Sequence, residues 1–180
     1  MIAERILYRA RQFWNALFSA PSLEDLETIS PLLNPAQMAL FSQMHHSEQV
    51  HSIKVMRTVM VASDGVSAEL RKNLLQAALL HDVGKNHYPL RLWERVLIVL
   101  AKTLTPNRVK DWGEGEARGW RRAFVIASQH PAWGAQMASA AGASPLTVSL
   151  IQRHQDLLSE AGEALEDQLL RLLQSADHEE

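Results

Sequence analysis

The chain has 180 residues, of which 47% are hydrophobic and 21% charged, proportions typical of one globular domain with a sizeable core. The formal net charge of −2 provides no broad basic surface, so we expect no nucleic-acid partner. The absence of cysteine excludes disulfides, thiolate zinc sites and a cysteine nucleophile, and it is compatible with the reducing cytoplasm, the location that we expect. The longest apolar run, 96–101, is too short for a transmembrane segment.

The N-terminal quarter is predicted to form short helices. Apolar residues recur at helical spacing in the first segment, at Ile2, Ile6, Phe13 and Leu17. Ser22 with Asp25 is the pattern of a helix start, and Asn34 before Pro35 predicts the N-cap and first turn of the next helix. We expect residues 1–45 to form an N-terminal helical arm.

Longer helices are predicted through the middle of the chain. One is expected from near His46 to Ala62, and the next from about Ser67 to Asp82, with Gly84 ending it. The stretch Leu90–Leu104 is helical again, and Pro106 is expected to end it.

The C-terminal part begins with 111–120, which holds three glycines and two tryptophans and is predicted to be a mobile loop. Short helices are expected after Pro131 and after Pro145, and a last one at about 163–176. No alternating strand pattern and no repeat is visible. The fold class predicted is therefore all-α: a single-domain helical bundle at 46–180 preceded by the arm.

Two polar side chains continue an apolar helix face in the stretch LLHDVGK. His81 and Asp82 lie three and four residues after Ala78, on the stripe that begins at Leu70 and Leu74. Four more polar groups fall on inner faces or at the ends of other predicted helices, namely His51, His130, His154 and Asp177.

Burying these six groups without compensation would cost about 1–3 kcal/mol each. Taken singly, a core histidine is more often hydrogen-bonded to a carbonyl, and an aspartate near a fraying helix end is usually solvated. The joint occurrence of the six around an adjacent His-Asp pair favours a shared metal centre instead. Imidazole and carboxylate ligands suit iron, manganese, cobalt, nickel and zinc.

The order of these residues, H…HD…H…H…D, resembles that of the HD superfamily of metal-dependent phosphohydrolases. The matching segments span 51–177 and read VHSIKV, LLHDVGK, QHPAWGA, IQRHQD and LQSADH. The resemblance implies an HD-type helical bundle with a metal centre on its axis. One metal is implied on His51, His81, Asp82 and Asp177. A second is implied on His130 and His154, with Asp82 as the bridge.

The resemblance also implies an activity. The protein would hydrolyse a phosphoester or phosphoanhydride of a nucleotide or similar small molecule through a metal-activated water. Asp82 and Lys85 would be the catalytic residues, with Lys85 contacting a substrate phosphate or assisting proton transfer. One or two divalent ions are expected, iron or manganese first, with cobalt, nickel, zinc and magnesium left open.

The sequence limits the range of possible substrates only in part. The HD-GYP branch, which cleaves cyclic di-GMP, carries HHExxDGxGYP where this chain has RHQDLLSEAGEA, so that substrate is not expected. The arrangement is more similar to small stand-alone members, including those that cleave dinucleoside polyphosphates. The segment 88–129 matches no pattern that names a substrate.

Alternatives remain open at this point. HD-type domains also serve as non-catalytic ligand-sensing or regulatory modules, and a homodimer is compatible with the sequence. Leu92–Leu104 with the tryptophan-rich loop is either a membrane-surface or partner-binding element or an ordinary buried helix. Weaker candidates for substrate contact, each with a plain structural role as its alternative, are His45, His46, His87, Trp93, Trp112, Trp120, Arg121, Arg122, Trp133, Arg153 and His178.

Overall fold

The computed structural model describes residues 20–158 and 164–179. The α-helices in these ranges are α1 (Leu23–Ile29), α2 (Pro35–Ser42), α3 (His46–Ala62), α4 (Ala68–Leu80), α5 (Leu92–Leu104), α6 (Pro106–Trp112), α7 (Arg122–Ala140), α8 (Pro145–Arg153) and α9 (Leu165–Glu179). Two 3₁₀ turns span Val83–His87 and Gly119–Arg121. These ranges contain no strand, which confirms the all-α prediction. None of their helices has the length and apolar character needed to cross a membrane.

Capping interactions start the first two helices at the predicted positions. Ser22 Oγ accepts from the Asp25 backbone N–H at 3.1 Å, and the Asp25 carboxylate accepts from the Ser22 N–H at 2.8 Å. Asn34 and Gln37 form the same reciprocal pair at α2, where Pro35 occupies the first turn. Each box satisfies backbone donors that a helix start leaves without an intrahelical partner.

The main hydrophobic core lies between α3, α4, α8 and α9. Its fully buried side chains include Ile53, Met56, Leu74, Leu79, Leu150, Ile151, Leu169 and Leu173. Helix α4 packs on α3 and α8, and α9 packs on α3 and α8. Ile29, Leu33, Phe41 and Met44 from the α1–α2 region join the same core. Residues 1–19 of the predicted arm lie outside the described residues, so the division at residue 45 stays a prediction.

A second, smaller core joins α5, α6 and the start of α7. Ile98 and Ala101 of α5 pack with Ala123 and Phe124 of α7, and Trp112 closes this cluster. Pro106 begins α6 instead of only ending α5, because proline is well tolerated in a first helical turn.

The predicted helix boundary at Pro131 is wrong. Helix α7 runs from Arg122 to Ala140 with Pro131 inside it. Proline cannot donate to the carbonyl four residues earlier, but α7 buries residues on both sides of it, among them Ile126 and Ala138. Tertiary packing therefore outweighs the lost hydrogen bond, and His130 enters the core from the middle of a long helix.

Candidate metal centre

Three of the six predicted ligands meet at one point from three separate elements. His51 lies on α3, His81 caps the C-terminus of α4, and Asp177 lies in the last turn of α9. Asp177 Oδ1 is 2.9 Å from His51 Nε2 and 3.4 Å from His81 Nε2. Asp177 is thus held against two histidines, and His51 and Asp177 keep part of their surface in solvent.

The other three ligands form a second, fully buried group. Asp82 precedes the 3₁₀ turn, His130 lies inside α7, and His154 caps α8. His130 Nε2 is 3.2 Å from Asp82 Oδ1 and 3.3 Å from His154 Nε2. In each of the two groups, one candidate ligand atom per residue lies within 4.8 Å of the other two.

The two groups adjoin through the His-Asp pair. His81 Nε2 is 3.7 Å from Asp82 Oδ2, and the His81 and His154 rings are 5.1 Å apart. All six predicted ligands therefore surround one region of the protein, and Asp82 stands between its two halves.

Local hydrogen bonds decide which nitrogen of three histidines faces this region. The Nδ1 atoms of His81, His130 and His154 contact the backbone carbonyls of residues 78, 126 and 151, at 2.9, 3.1 and 2.7 Å. A carbonyl can only accept, so each Nδ1 carries a proton and donates it. In the neutral ring Nε2 then carries a lone pair, and this tautomer binds a metal ion through Nε2.

The Nε2 atoms that face the candidate centre lack good hydrogen-bond partners among themselves, which is consistent with a cation between them. His81 Nε2 is buried and makes no hydrogen bond of acceptable geometry. The Nε2 atoms of His130 and His154 face each other, and both would be acceptors beside the Asp82 carboxylate. Facing lone pairs repel unless a proton or a metal ion lies between them, and four imidazoles with two carboxylates are a suitable ligand set.

The charges of the carboxylates suit the same role. Burial would raise the pKa of Asp82, but Lys85, His81 and His130 outweigh it and hold the pKa well below its ordinary value. Burial likewise opposes ionisation of Asp177, yet its hydrogen bond to His51 and the nearby His81 ring bring its pKa far down. The carboxyl groups of Asp82 and Asp177 are therefore both ionised at neutral pH.

The surroundings shift the pKa values of two of the histidines in opposite directions. Burial, with His81 and His130 nearby, lowers the pKa of His154 to about 3, so this ring is neutral at pH 7. Burial would also lower the pKa of His81, but Asp82 and Asp177 outweigh burial and raise it. The carboxylates thus attract positive charge to the position that His81 Nε2 faces.

Lys85 lies at the edge of the second group. Its Nζ is 2.5 Å from Asp82 Oδ2, and its side chain is partly exposed. Burial would lower the pKa of Lys85, but Asp82 and Glu48 raise it above the ordinary value. The ammonium ion is therefore retained next to the candidate centre.

Two glycines bring the His-Asp pair onto α7. Gly84 lies in the 3₁₀ turn, not at the end of α4 as predicted, and its φ is not positive. A Cβ on Gly84 would overlap the carbonyl oxygen of His130 and lie 2.6 Å from the backbone nitrogen of Gly134. A Cβ on Gly134 would in turn lie 3.1 Å from the Gly84 nitrogen. The missing side chains allow the backbone contact that places Asp82 beside His130.

Two cavities border the centre. One, of about 390 Å³, is lined by His154, Arg171, Gln174 and His178 among others. The other, of about 210 Å³, is lined by His45, Glu48, Lys85 and Arg95 among others. Both cations on the wall of this second cavity are paired with carboxylates: Lys85 with Asp82, and Arg95 Nη2 with Oε1 of the buried Glu48, at 2.7 Å. Sequence reasoning missed Glu48 and Arg95, because neither belongs to a recognisable motif.

The weaker substrate-contact candidates lie in varied surroundings. Arg122 forms an ion pair with the buried carboxylate of Glu94, at 2.5 Å. Arg153 pairs with Glu166 and Asp167, both at 2.6 Å. These two arginines are engaged with carboxylates of the chain itself. His46 is exposed at the start of α3.

The aromatic candidates form two groups. The rings of His87, Tyr88 and Trp133 contact one another, and Trp112 and Trp120 pack with Phe124. Neither group includes a predicted metal ligand.

No protein-family model matches the chain, and comparison with curated proteins and with solved structures also gave no match. A functional assignment must therefore come from the side chains and their geometry.

Proposed function

We propose that the protein is a metal-dependent phosphohydrolase of the HD type, acting on a nucleotide or a similar small phosphoester or phosphoanhydride through a metal-activated water. One observation supports this above the others. Imidazoles and carboxylates from α3, the α4 end, α7, α8 and α9, as far apart in sequence as His51 and Asp177, form two adjoining groups of potential metal ligands. Hydrogen bonds from single core histidines to carbonyls would not explain why four imidazoles and two carboxylates lie in one place.

The chain's own charges favour an anionic substrate. Asp82 and Asp177 contribute two negative charges and the neutral imidazoles none, so the ligand set leaves two divalent cations only partly neutralised. Bound divalent cations would lower the pKa of water and stabilise negative charge on the phosphoryl oxygens. We expect iron or manganese, with cobalt, nickel, zinc and magnesium as alternatives, because His/Asp ligation accommodates all of them.

The protein's side chains have distinct roles in this proposal. Asp82 faces both groups of ligands and accepts a hydrogen bond from Lys85, which orients its carboxylate. Lys85 keeps its proton and borders the 210 Å³ cavity, so it contacts a substrate phosphate there, whereas Arg95 on the same wall is paired with Glu48. The ordered Nδ1–H bonds of His81, His130 and His154 keep the ligand nitrogens directed inward. We place the activity in the cytoplasm, where a chain without disulfides needs no oxidising compartment.

The first experiment combines metal analysis of protein purified without chelator with a panel of nucleotides and generic phosphodiesters. His81→Ala and Asp82→Ala should each remove bound metal and turnover while the far-ultraviolet circular dichroism stays helical. His87→Ala is the matched control, since His87 is an exposed histidine outside both groups, and it should keep metal and turnover. Unchanged turnover in either ligand variant would refute the proposal.

Within the same assay, Lys85 separates metal binding from catalysis. Lys85→Met should keep the metal and lower kcat by about 10²-fold or more. Lys72→Met, at an exposed lysine of α4, should behave as wild type. The wild type could instead bind stoichiometric metal and hydrolyse no phosphoester or phosphoanhydride in the panel. That result would refute the enzymatic proposal and favour a non-catalytic sensing module.

A further inference from the structure

Helix α5 has an apolar face that no described residue covers. Ile98 and Ala101 are turned into the second core, but the opposite side presents exposed side chains at helical spacing, namely Trp93, Val96, Val99, Leu100, Thr103 and Leu104. We call these six residues the α5 outer face. Folded proteins rarely expose a contiguous apolar strip of this kind without a binding partner.

Polar groups around the α5 outer face are directed away from it or satisfied internally. The Thr103 hydroxyl donates to the Val99 carbonyl at 2.9 Å. Glu94 is buried and pairs with Arg122, and Arg95 is engaged by Glu48. The face therefore has no acidic side chain among its described residues, although α5 itself contains a glutamate.

The surrounding segment is basic in a chain that is acidic as a whole. Residues 91–122 contain eight lysines and arginines and four acidic residues, a formal charge of +4, whereas the whole chain carries −2. Arg91, Arg108, Arg118 and Arg121 of this segment are exposed, and so are Asp111, Glu114 and Glu116. Because Arg95 is paired with Glu48 outside the segment, the excess positive charge is +4 less 1, or +3. An apolar strip flanked by positive charge, with a tryptophan in its first turn, is complementary to an anionic lipid surface.

We propose that the α5 outer face docks the protein onto an anionic membrane surface, with α5 lying parallel to the bilayer. The apolar side chains enter the headgroup–acyl boundary, and the basic segment contacts the anionic headgroups. This is surface binding, consistent with the lack of a membrane-crossing helix among the described residues.

A second copy of the chain fits this face less well. Six side chains of one helix cover less than the roughly 800 Å² per partner of a standard stable interface. A two-fold dimer through the same face would also bring two basic segments together, and like charges repel. A bilayer provides a broad apolar layer and negative charge at once.

The test is co-sedimentation of the full chain with vesicles of phosphatidylcholine alone and of phosphatidylcholine with phosphatidylglycerol. We expect binding to the anionic vesicles, weakened by high salt, and little binding to the neutral ones. Val99→Glu/Leu104→Glu changes side chains that are 63% and 75% exposed and should reduce vesicle binding by about tenfold or more.

The matched control is Leu23→Glu/Val61→Glu, at apolar side chains that are 81% and 80% exposed but lie on α1 and α3. It should bind vesicles as the wild type does. Both double variants should retain the circular dichroism and phosphoester turnover of the wild type, so this result is independent of the proposed activity. Equal vesicle binding by the α5 variant and the wild type would overturn the proposal, and so would equal losses in both double variants.

Labelling of single cysteines identifies what covers the α5 outer face if it does not bind vesicles. Because the chain has no cysteine, Val99→Cys and Val61→Cys each introduce a single thiol for an environment-sensitive fluorophore. The probe at 99 should shift to shorter wavelength with anionic vesicles, and the probe at 61 should not. A thiol at 99 that is protected without vesicles would overturn the proposal. In a monomer this indicates cover by residues 1–19, and in a dimer that Val99→Glu/Leu104→Glu dissociates it indicates a second copy.

Discussion

Three histidines of the candidate centre, His81, His130 and His154, each donate Nδ1–H to a backbone carbonyl of their own helical segment. Such a bond is also the usual reason for an ordinary buried histidine. It satisfies only one ring nitrogen, however, and His81, His130 and His154 each retain a second nitrogen directed at other acceptors. The unsatisfied Nε2, not burial of the ring, is what favours a metal ligand.

The low pKa of His154 predicts a pH dependence of stability in chelator-treated protein. Its pKa is lowered from 6.5 to about 3, first by burial and then by His81 and His130. Between these values the unfolded chain binds a proton that the folded chain does not, so unfolding free energy rises with pH across this window. The contribution has a limiting slope of about 1.4 kcal/mol per pH unit.

Urea unfolding at several pH values measures that slope. His154→Gln removes the titrating ring and should make the dependence shallower between about pH 6.5 and 4. Carboxylates such as Asp82 contribute chiefly at lower pH in both proteins. A slope that the substitution leaves unchanged would show that His154 does not titrate as its burial predicts.

At the element scale, the crossing of the 3₁₀ turn over α7 positions the His81–Asp82 pair. Gly84 and Gly134 lie back to back, so the two backbones approach more closely than any side chain would permit. The spacing of glycine after the His-Asp pair and after His130 thus has a steric cause. It is a packing requirement, not a requirement for positive φ at Gly84.

Gly84→Ala is therefore expected to be strongly destabilising. Glycine-to-alanine replacement at an unstrained backbone usually stabilises by about 0.4–1 kcal/mol. Here the added Cβ would overlap the His130 carbonyl, so we expect a loss of about 3 kcal/mol with loss of metal binding. Chemical denaturation and metal content measure both effects.

Gly65→Ala is the control for this substitution. Gly65 has φ +87° and open space around its Cα, so alanine there costs about 1–2 kcal/mol through backbone strain and should leave metal binding intact. If Gly84→Ala were no more destabilising than Gly65→Ala and kept its metal, the backbone contact would not be what positions Asp82.

At the scale of the whole molecule, the candidate centre joins elements that belong to different parts of the chain. Its ligands come from α3, α7, α8 and α9 as well as from the connection after α4. Asp177 is kept in place because Leu169, Leu170, Leu173 and Ala176 bury α9 in the main core. Helix α5 instead packs in the second core, so its outer face stays clear of the candidate metal ligands.

Metal removal should consequently lower the stability of the entire fold. A ligand that binds only the folded state at a hundred times its Kd contributes about 2.7 kcal/mol, which for a domain of this size corresponds to roughly 5–10 °C in Tm. Differential scanning calorimetry with manganese and then with chelator measures the shift. His81→Ala should show no metal-dependent change in Tm, and a wild type equally insensitive would argue against a site that spans these elements.

Several elements could be predicted without the structure, because local interactions define them. Capping at Ser22 and Asn34 and the apolar period of α3 depend on residues within a turn or two of each other, and α3 has the predicted bounds His46–Ala62. The six candidate ligands were also recognisable, because polar side chains interrupt apolar helix faces at each of them. Helix periodicity shows that such a side chain faces inward, but not which others it meets.

Other features depend on partners distant in the chain and became visible only in the folded protein. Pro131 stays inside α7 because long-range packing outweighs one lost hydrogen bond, and Gly84 is required by a backbone from another helix. Arg122 is engaged by Glu94, and one side of α5 remains uncovered although both sides are apolar in sequence. Pattern and propensity act over a few residues, whereas these outcomes depend on which surfaces the folded chain brings together.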